Sequence, residues 1–439
     1  MFKETSKELL DFLSKSPTAF HAVENYRQIL NADGFKELLE SEHWDIVPGG
    51  KYYVTRNNTS ILAFKVGTKL DNYSFNIVTS HTDSPTFKVK ENAEIEVKNK
   101  YTQLNTEGYG GMLCATWLDR PLSIAGRVLV SEGNSIVTKL LNIDRDLLMI
   151  PNVAIHMNRA ANDGFKYNLQ VDMLPLLSAG DDRQKDFKQI IADELGVKKE
   201  DILGHDLYLY NRMAPSIWGA NEEFISAGHL DDLQCGFASL KALLAGYNDE
   251  SIDIMACFDN EEVGSGTKQG ADSTLLRDTL TRINNALGKT EEDYHRALAS
   301  SFMLSADNAH AVHPNHPEHT DATNCTYMNE GVVVKSHAGQ KYTSDGVSMA
   351  VVKALASGAD VPLQYFANRS DKAGGSTLGN IAMAQASMNA VDIGLPQLAM
   401  HSSYETAGIK DTYYAISLMK ALFDSHIQET STHSLEIIR

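Results

Sequence analysis

The stretch from Asp259 to Ser265, DNEEVGS, sets three carboxylates, Asp259, Glu261 and Glu262, directly behind the apolar run Ser251 to Phe258. Carboxylates this close repel one another, and beside buried apolar surface they persist only if a cation neutralises them or one keeps a proton. A divalent metal meets that need. Further donors of suitable chemistry stand in separate segments: His81, Asp231, Asp307 and His401. With Glu262 they make two imidazoles and three carboxylates, a set that suits zinc, cobalt or manganese. A shared carboxylate such as Asp231 could bridge two ions about 3.5 Å apart, which would lower the pKa of a bridging water and polarise a carbonyl. Glu261, beside a ligand but pointing elsewhere, is then the obvious base for the water's proton. Asp83 lies two residues beyond His81 and is placed to orient its ring. No HExxH occurs, which excludes a zinc-protease site carried on one helix.

Strands must carry most of these donors. SFNIVTS before His81, SIDIMACF before the acidic stretch, SFMLSA before Asp307 and the apolar run before His401 all have strand length. In open α/β sheets ligands collect beyond the carboxyl ends of the strands, where these donors fall. Asp231 instead opens a helix, since Leu230, Leu233, Phe237, Leu240 and Leu244 recur at helical spacing up to Gly246. Two amphipathic helices begin the chain, the second expected to start at a Ser16-Pro17 cap, and Asn57-Asn58 reads as a hairpin turn. From Lys88 to Glu223 the texture changes to alternating stretches such as AEIEVKNKY and RVLVSE, with glycines at 108, 110 and 111 and a charged helical run near Arg183 to Leu195. The expectation is an α/β protein, a mixed sheet flanked by helices from residues 1–87 and 224–439, with an inserted, mostly β domain at 88–223. A helix with Tyr413, Ile416, Met419 and Leu422 is expected to close the fold. Gly374 to Gly379 lacks the lysine of a phosphate loop, so close packing accounts for it better. His310, His313, His316 and His319 recur every third residue, but Pro314 and Pro317 forbid the continuous helix that would align them. A loop with one or two functional histidines is expected there.

The 439 residues are 43% hydrophobic, ample for a folded core, and carry a net charge of -18. That balance argues against binding nucleic acid or an anionic membrane, which needs clustered Lys and Arg. Nothing in the sequence is apolar for long enough to span a bilayer, and the amphipathic N-terminus does not read as a signal peptide. Four scattered cysteines without a CxxC pair fit neither a disulfide framework nor a thiolate zinc site, so a cytoplasmic home is expected.

Several strings in order, HTDSP at 81–85, YGG at 109–111, WLDRPLSIAGRV at 117–128, AIHMNR at 154–159, HLDDL, DNEEVGS, SADNAHAVHPNH, KYTSDG and PQLAMHSSYE, resemble the M18 family of metalloaminopeptidases, which includes aspartyl aminopeptidase. The resemblance runs from about Ser16 to the C-terminal helix. It implies a zinc exopeptidase catalytic domain in which His81, Asp231, Glu262, Asp307 and His401 hold two zinc ions, with cobalt or manganese as substitutes. Asp231 would bridge them, Glu261 would be the general base and Asp83 would orient His81. It implies that the inserted domain dimerises and lends His156 to the neighbouring active site, that dimers build a tetrahedral dodecamer, and that the substrate is the free N-terminus of a peptide. Members preferring acidic first residues use a lysine matched by Lys335, and His310 and Tyr342 would line the same pocket. Other members with similar motifs prefer neutral residues, so neutral or broad specificity stays open. Asp232 departs from an expected Asn, and Lys372-Ala373-Gly374 from a Thr-Pro-Cys segment. Two readings of other classes remain: a metal-independent glycoside hydrolase using Glu261 with Asp307 or Glu262, and a catalytically silent scaffold.

Overall fold

The computed structural model describes residues 1–180 and 186–439. A nine-stranded mixed sheet runs in the order Lys36–Leu38, Lys51–Arg56, Ser60–Val66, Ser251–Phe258, Ser74–His81, Phe302–Ala306, Asn389–Gly394, Val332–Lys335 and Leu363–Phe366. Ser251–Phe258, Ser74–His81, Phe302–Ala306 and Asn389–Gly394 are mutually parallel, and every residue of the first three is buried. Their predominantly apolar character follows from cover on both faces, with Asn76, Asp253 and Asp392 as buried polar exceptions. Met255 and Cys257 of one strand face the core beneath helices Phe2–Ser14, Ala19–Ala32, Leu230–Ala245, Gly346–Gly358 and Asp411–Phe423. Ile252, Ile254, Ala256 and Phe258 face the other core, covered by Leu275–Ala286, Glu291–Ala299 and Gly379–Gln385. Alternate residues therefore feed two separate cores, which is the strand period of two made visible. The α/β fold with a mixed sheet flanked by helices is as the sequence led us to expect.

The parallel register pairs Phe258 with His81 and Ala306 with Ile393. His81, the acidic turn after Phe258 and Asp307 consequently emerge at one end of the sheet. A second sheet of six antiparallel strands, in the order Ser135–Asn142, Leu122–Glu132, Ile202–Asn211, Thr86–Val97, Tyr101–Tyr109 and Leu176–Ala179, encloses its own core with helix Phe187–Leu195. The part of the charged run around Arg183 lies outside the described residues. Five short strands, Ser216–Trp218, Phe224–Ala227, Glu405–Gly408, Pro396–Leu398 and Ala309–His310, form a third sheet.

Asn57 and Asn58 take positive φ at the expected hairpin. The second helix starts two residues later than expected, with Thr18 at the cap, and the Ser16 hydroxyl instead donates back to the Phe12 carbonyl. Nor does a helix end the fold: a hairpin of His426–Ser431 and Ser434–Ile438 follows. Among the described residues no helix is long and apolar enough to cross a membrane. Packing does account for Gly379, where an added Cβ would collide with the Ser305 hydroxyl and sit 3.2 Å from Asp392 Oδ1. Gly379→Ala is therefore expected to cost about 1–3 kcal/mol through overpacking, measured as a lower urea midpoint at unchanged m-value; an unchanged midpoint would show that the strand and helix can part there freely.

Candidate metal centre

At the end of the parallel strands the donors meet around Asp231, which is buried at the start of helix Leu230–Ala245. The helix is not regular there: Asp231 and Asp232 leave helical geometry and the peptide bond between them is cis. His81 Nε2 lies 3.6 Å from Asp231 Oδ1, while His401 Nε2 lies 3.5 Å from Asp231 Oδ2 and 3.4 Å from Glu262 Oε2. These separations are long for hydrogen bonds. They match the spacing of about 3.3 Å between donor atoms arranged tetrahedrally at zinc distances. Asp231 Oδ1 and Glu262 Oε1 are buried with no hydrogen-bond partner, a costly state that a cation between the donors would relieve. Asp231 belongs to two sets of close donors, one with His81 and Asp307 and the other with Glu262 and His401.

Electrostatics tell the same story. Burial pushes the Glu262 carboxyl well up, with Asp231 adding to it, and raises Asp307 to about 6 and Glu261 to about 8. His401 is raised to about 10 because Asp231 and Glu262 outweigh the burial that opposes its charge. Protons thus crowd onto the cluster where positive charge is short. Asp232 is likewise buried and pushed well up; its Oδ2 accepts from the His81 backbone N–H at 3.2 Å and its Oδ1 has no partner.

The surroundings fix the donors. Asp83 takes the Glu261 and Glu262 backbone N–H groups at 3.2 and 3.1 Å and the Tyr109 hydroxyl at 2.7 Å. Its Oδ1 is 3.4 Å from His81 Nδ1, whose 3.0 Å partner is the Asp83 carbonyl. One carboxylate so ties the His81 strand to the acidic turn. Glu261 is not turned away from this centre, since its carboxylate joins His81 and Glu262 in a further close set. Asn260 and His401 hold positive φ, an uncommon state for residues other than glycine. The His401 ring is held through Nδ1 at 3.0 Å from the Gly111 carbonyl.

Lys335 is buried, donates to the Asn308 carbonyl at 2.8 Å, and lies 4.0 Å from Asp307 Oδ2 and 5.7 Å from the centre of the Tyr342 ring. Tyr342 packs with Val333 and Phe366, and His310 meets the Phe366 ring edge at 6.1 Å. These three candidate substrate contacts are neighbours. His156 belongs to none of the donor sets; it sits on an exposed segment beside Val153, Ile155 and Met157.

Two partners escaped the sequence. Buried Glu405 receives the backbone N–H of Asp231 at 3.0 Å and of His401 at 2.8 Å, one on each oxygen. Its signal was an acid four residues after His401 in an otherwise apolar and hydroxyl-rich segment. Tyr109 is the other, and nothing in its spacing shows that it would cross from the six-stranded sheet.

The family model described as Aminopeptidase I zinc metalloprotease (M18) matches residues 12–423. This chain belongs to the M18 aminopeptidase family. A probable M18 family aminopeptidase 2 of Clostridium novyi (strain NT) is 48% identical over 425 residues, covering 95% of this chain and 98% of its own. That of Stutzerimonas stutzeri (strain A1501) is 39% identical over 431 residues, 97% of this chain and 99% of its own. Among solved structures, the chain in the Ape4 and Nbr1 complex superposes with TM-score 0.93 at 35% identity, covering 96% of this chain and 86% of that one. The S. cerevisiae mApe1 dodecamer gives TM-score 0.84 at 28% identity, with coverages of 96% and 97%. This M18 chain is a zinc metalloaminopeptidase, and its close His, Asp and Glu donors fit the metal of the family. The Asp83 carboxylate, 3.4 Å from His81 Nδ1 and bonded to the Glu261 and Glu262 N–H groups, braces the donors from outside: Asp83→Asn is expected to weaken zinc retention about 10–100-fold in a chelator competition, and wild-type retention would show that this brace is not needed.

Proposed function

We propose that this M18 chain is a dinuclear zinc aminopeptidase that removes acidic N-terminal residues from peptides. His81, Asp231, Glu262, Asp307 and His401 would hold the metals, with Asp231 common to both. The observation that carries this is the position of Asp231 in two donor sets with an oxygen left unpaired. Bound zinc supplies a water of lowered pKa and polarises the scissile carbonyl. Glu261 takes a proton from the attacking water and delivers it to the departing amine. Burial raises its affinity for that proton, which suits a group that must both accept and release it. Asp83 keeps the His81 ring and the Glu261 backbone in fixed relation throughout.

Lys335 is proposed to select Asp or Glu at the first residue. Its buried ammonium spends one donor on Asn308 and keeps others for a substrate carboxylate, against the wall formed by Tyr342 and His310. A neutral or broad preference is the second reading, favoured by the 4.0 Å approach of Lys335 to Asp307, which already answers its charge. The two diverge in whether Asp307 spends its charge on metal or on the lysine.

We further propose that residues 88–223 form a dimerisation domain separate from the catalytic 1–87 and 224–439, and that His156 acts in the partner's site to hold the developing oxyanion. Apolar residues exposed around it support a covered surface: Val153 is 55% and Met157 84% exposed. The similarity to the mApe1 dodecamer supports assembly of such dimers into a tetrahedral dodecamer. Four unpaired cysteines support a cytoplasmic location.

Glu261→Gln is expected to keep its zinc and lose about 10²–10⁴-fold in kcat; normal turnover with full metal would remove Glu261 as base. Release of Asp, Glu, Leu and Lys from aminoacyl reporters, with and without chelator, tests the rest. Chelator-sensitive release of Asp and Glu that collapses in Lys335→Ala is the expected result. Release of Leu instead establishes the neutral reading, and activity indifferent to exhaustive chelation would overturn the metallopeptidase in favour of a carboxylate-pair hydrolase.

A further inference from the structure

Three histidines of the series beyond Asp307, His313, His316 and His319, do align, although no continuous helix forms. His316 N–H donates to the His313 carbonyl at 3.0 Å and His319 N–H to the His316 carbonyl at 3.2 Å. Successive turns of three residues eclipse side chains at i and i+3. The rings of His313 and His316 therefore stand 5.4 Å apart, and those of His316 and His319 5.5 Å, at interplanar angles of 36° and 31°. Pro314 and Pro317 each follow the first residue of a turn, where no N–H is required, and their fixed φ braces the loop before any ligand arrives. The Arg369 guanidinium, paired with Asp371, also donates to the Glu318 carbonyl and ties the loop to a second segment.

Within this loop His316 Nδ1 is 3.0 Å and His319 Nε2 4.0 Å from the same oxygen, Glu318 Oε1, and one donor atom from each of the three residues lies within 4.8 Å of the others. Small side-chain rotations bring such a set to the separation of about 3.3 Å that a tetrahedral ion requires. All three side chains are exposed, from 59% to 64%, so the backbone turns and the His316–Glu318 contact, not burial, hold them together. We propose that His316, Glu318 and His319 form a second, surface metal site for a borderline transition cation such as zinc, nickel or copper(II), separate from the centre around Asp231. Two imidazoles and one carboxylate suit those ions over magnesium or calcium, which favour oxygen. Water completes the coordination, so the ion exchanges readily. The site borders a cavity of about 260 Å³ that His313 and His319 share with His310 and Met400, which puts the added charge beside the candidate substrate contacts.

The test compares the zinc-loaded enzyme with His316→Asn/His319→Asn and with Glu318→Gln, each dialysed against a graded series of free zinc and analysed for bound metal per chain. Wild type is expected to bind one equivalent more than the double variant, with Glu318→Gln filling the same equivalent at higher free zinc. Copper(II) bound in that equivalent should show two-imidazole nitrogen coupling by electron paramagnetic resonance, absent in the double variant. Equal uptake by all three proteins overturns the site, as does a copper spectrum unchanged by the double replacement. Because the centre around Asp231 is intact in every variant, its retained metal reports independently on the folding of each.

Discussion

A shortage of positive charge governs this structure. Asp231, Asp232, Glu262, Asp307 and Glu405 are carboxylates brought among buried strands and helices, and His81, His401 and Lys335 are too few to neutralise them. Burying carboxylates without compensation costs several kcal/mol each, so the surroundings supply what they can through backbone N–H groups on Asp83, Asp232 and Glu405. The oxygens left without a partner include Asp231 Oδ1 and Glu262 Oε1 within the donor cluster and Asp232 Oδ1 beside it. An arrangement that holds the donor carboxylates from outside and leaves Asp231 Oδ1 and Glu262 Oε1 bare is organised for a cation.

The parallel sheet makes this crowding possible. Four strands in register deliver residues from distant parts of the chain to one end of the sheet, and the polar side chains buried within them, such as Asn76 and Asp392, are answered by hydrogen bonds with their neighbours. The six-stranded sheet adds a second constraint, for Tyr109 reaches Asp83 and the Gly111 carbonyl reaches His401. The geometry of the donors is thus shared between two cores that do not mix.

Much of this was legible because it depends on local pattern. Apolar runs such as SIDIMACF announced buried strands, and acids or histidines at their ends announced where donors would gather. The amphipathic helix from Leu230 was equally plain, but its irregular first turn was not, since the departure at Asp231 and Asp232 answers to Glu405 and His81, remote in sequence. Glu405 and Tyr109 escaped for the same reason: each acts across the fold through a hydrogen bond that no spacing encodes. The histidine series was read correctly as a loop without a continuous helix, but the alignment of three of its rings was not foreseen. Prolines do exclude an α-helix there, but turns of three residues tolerate them and align His313, His316 and His319.

Donors and their supports span the chain from position 81 to position 405, with the Tyr109 and Gly111 links lying between. During synthesis the segment holding His401 and Glu405 leaves the ribosome long after His81, and contacts of such long sequence separation form slowly even afterwards. A nascent or truncated chain therefore has half a centre. The topology thus couples completion of the donor set to the chain being folded through position 405, where Glu405 holds the His401 backbone.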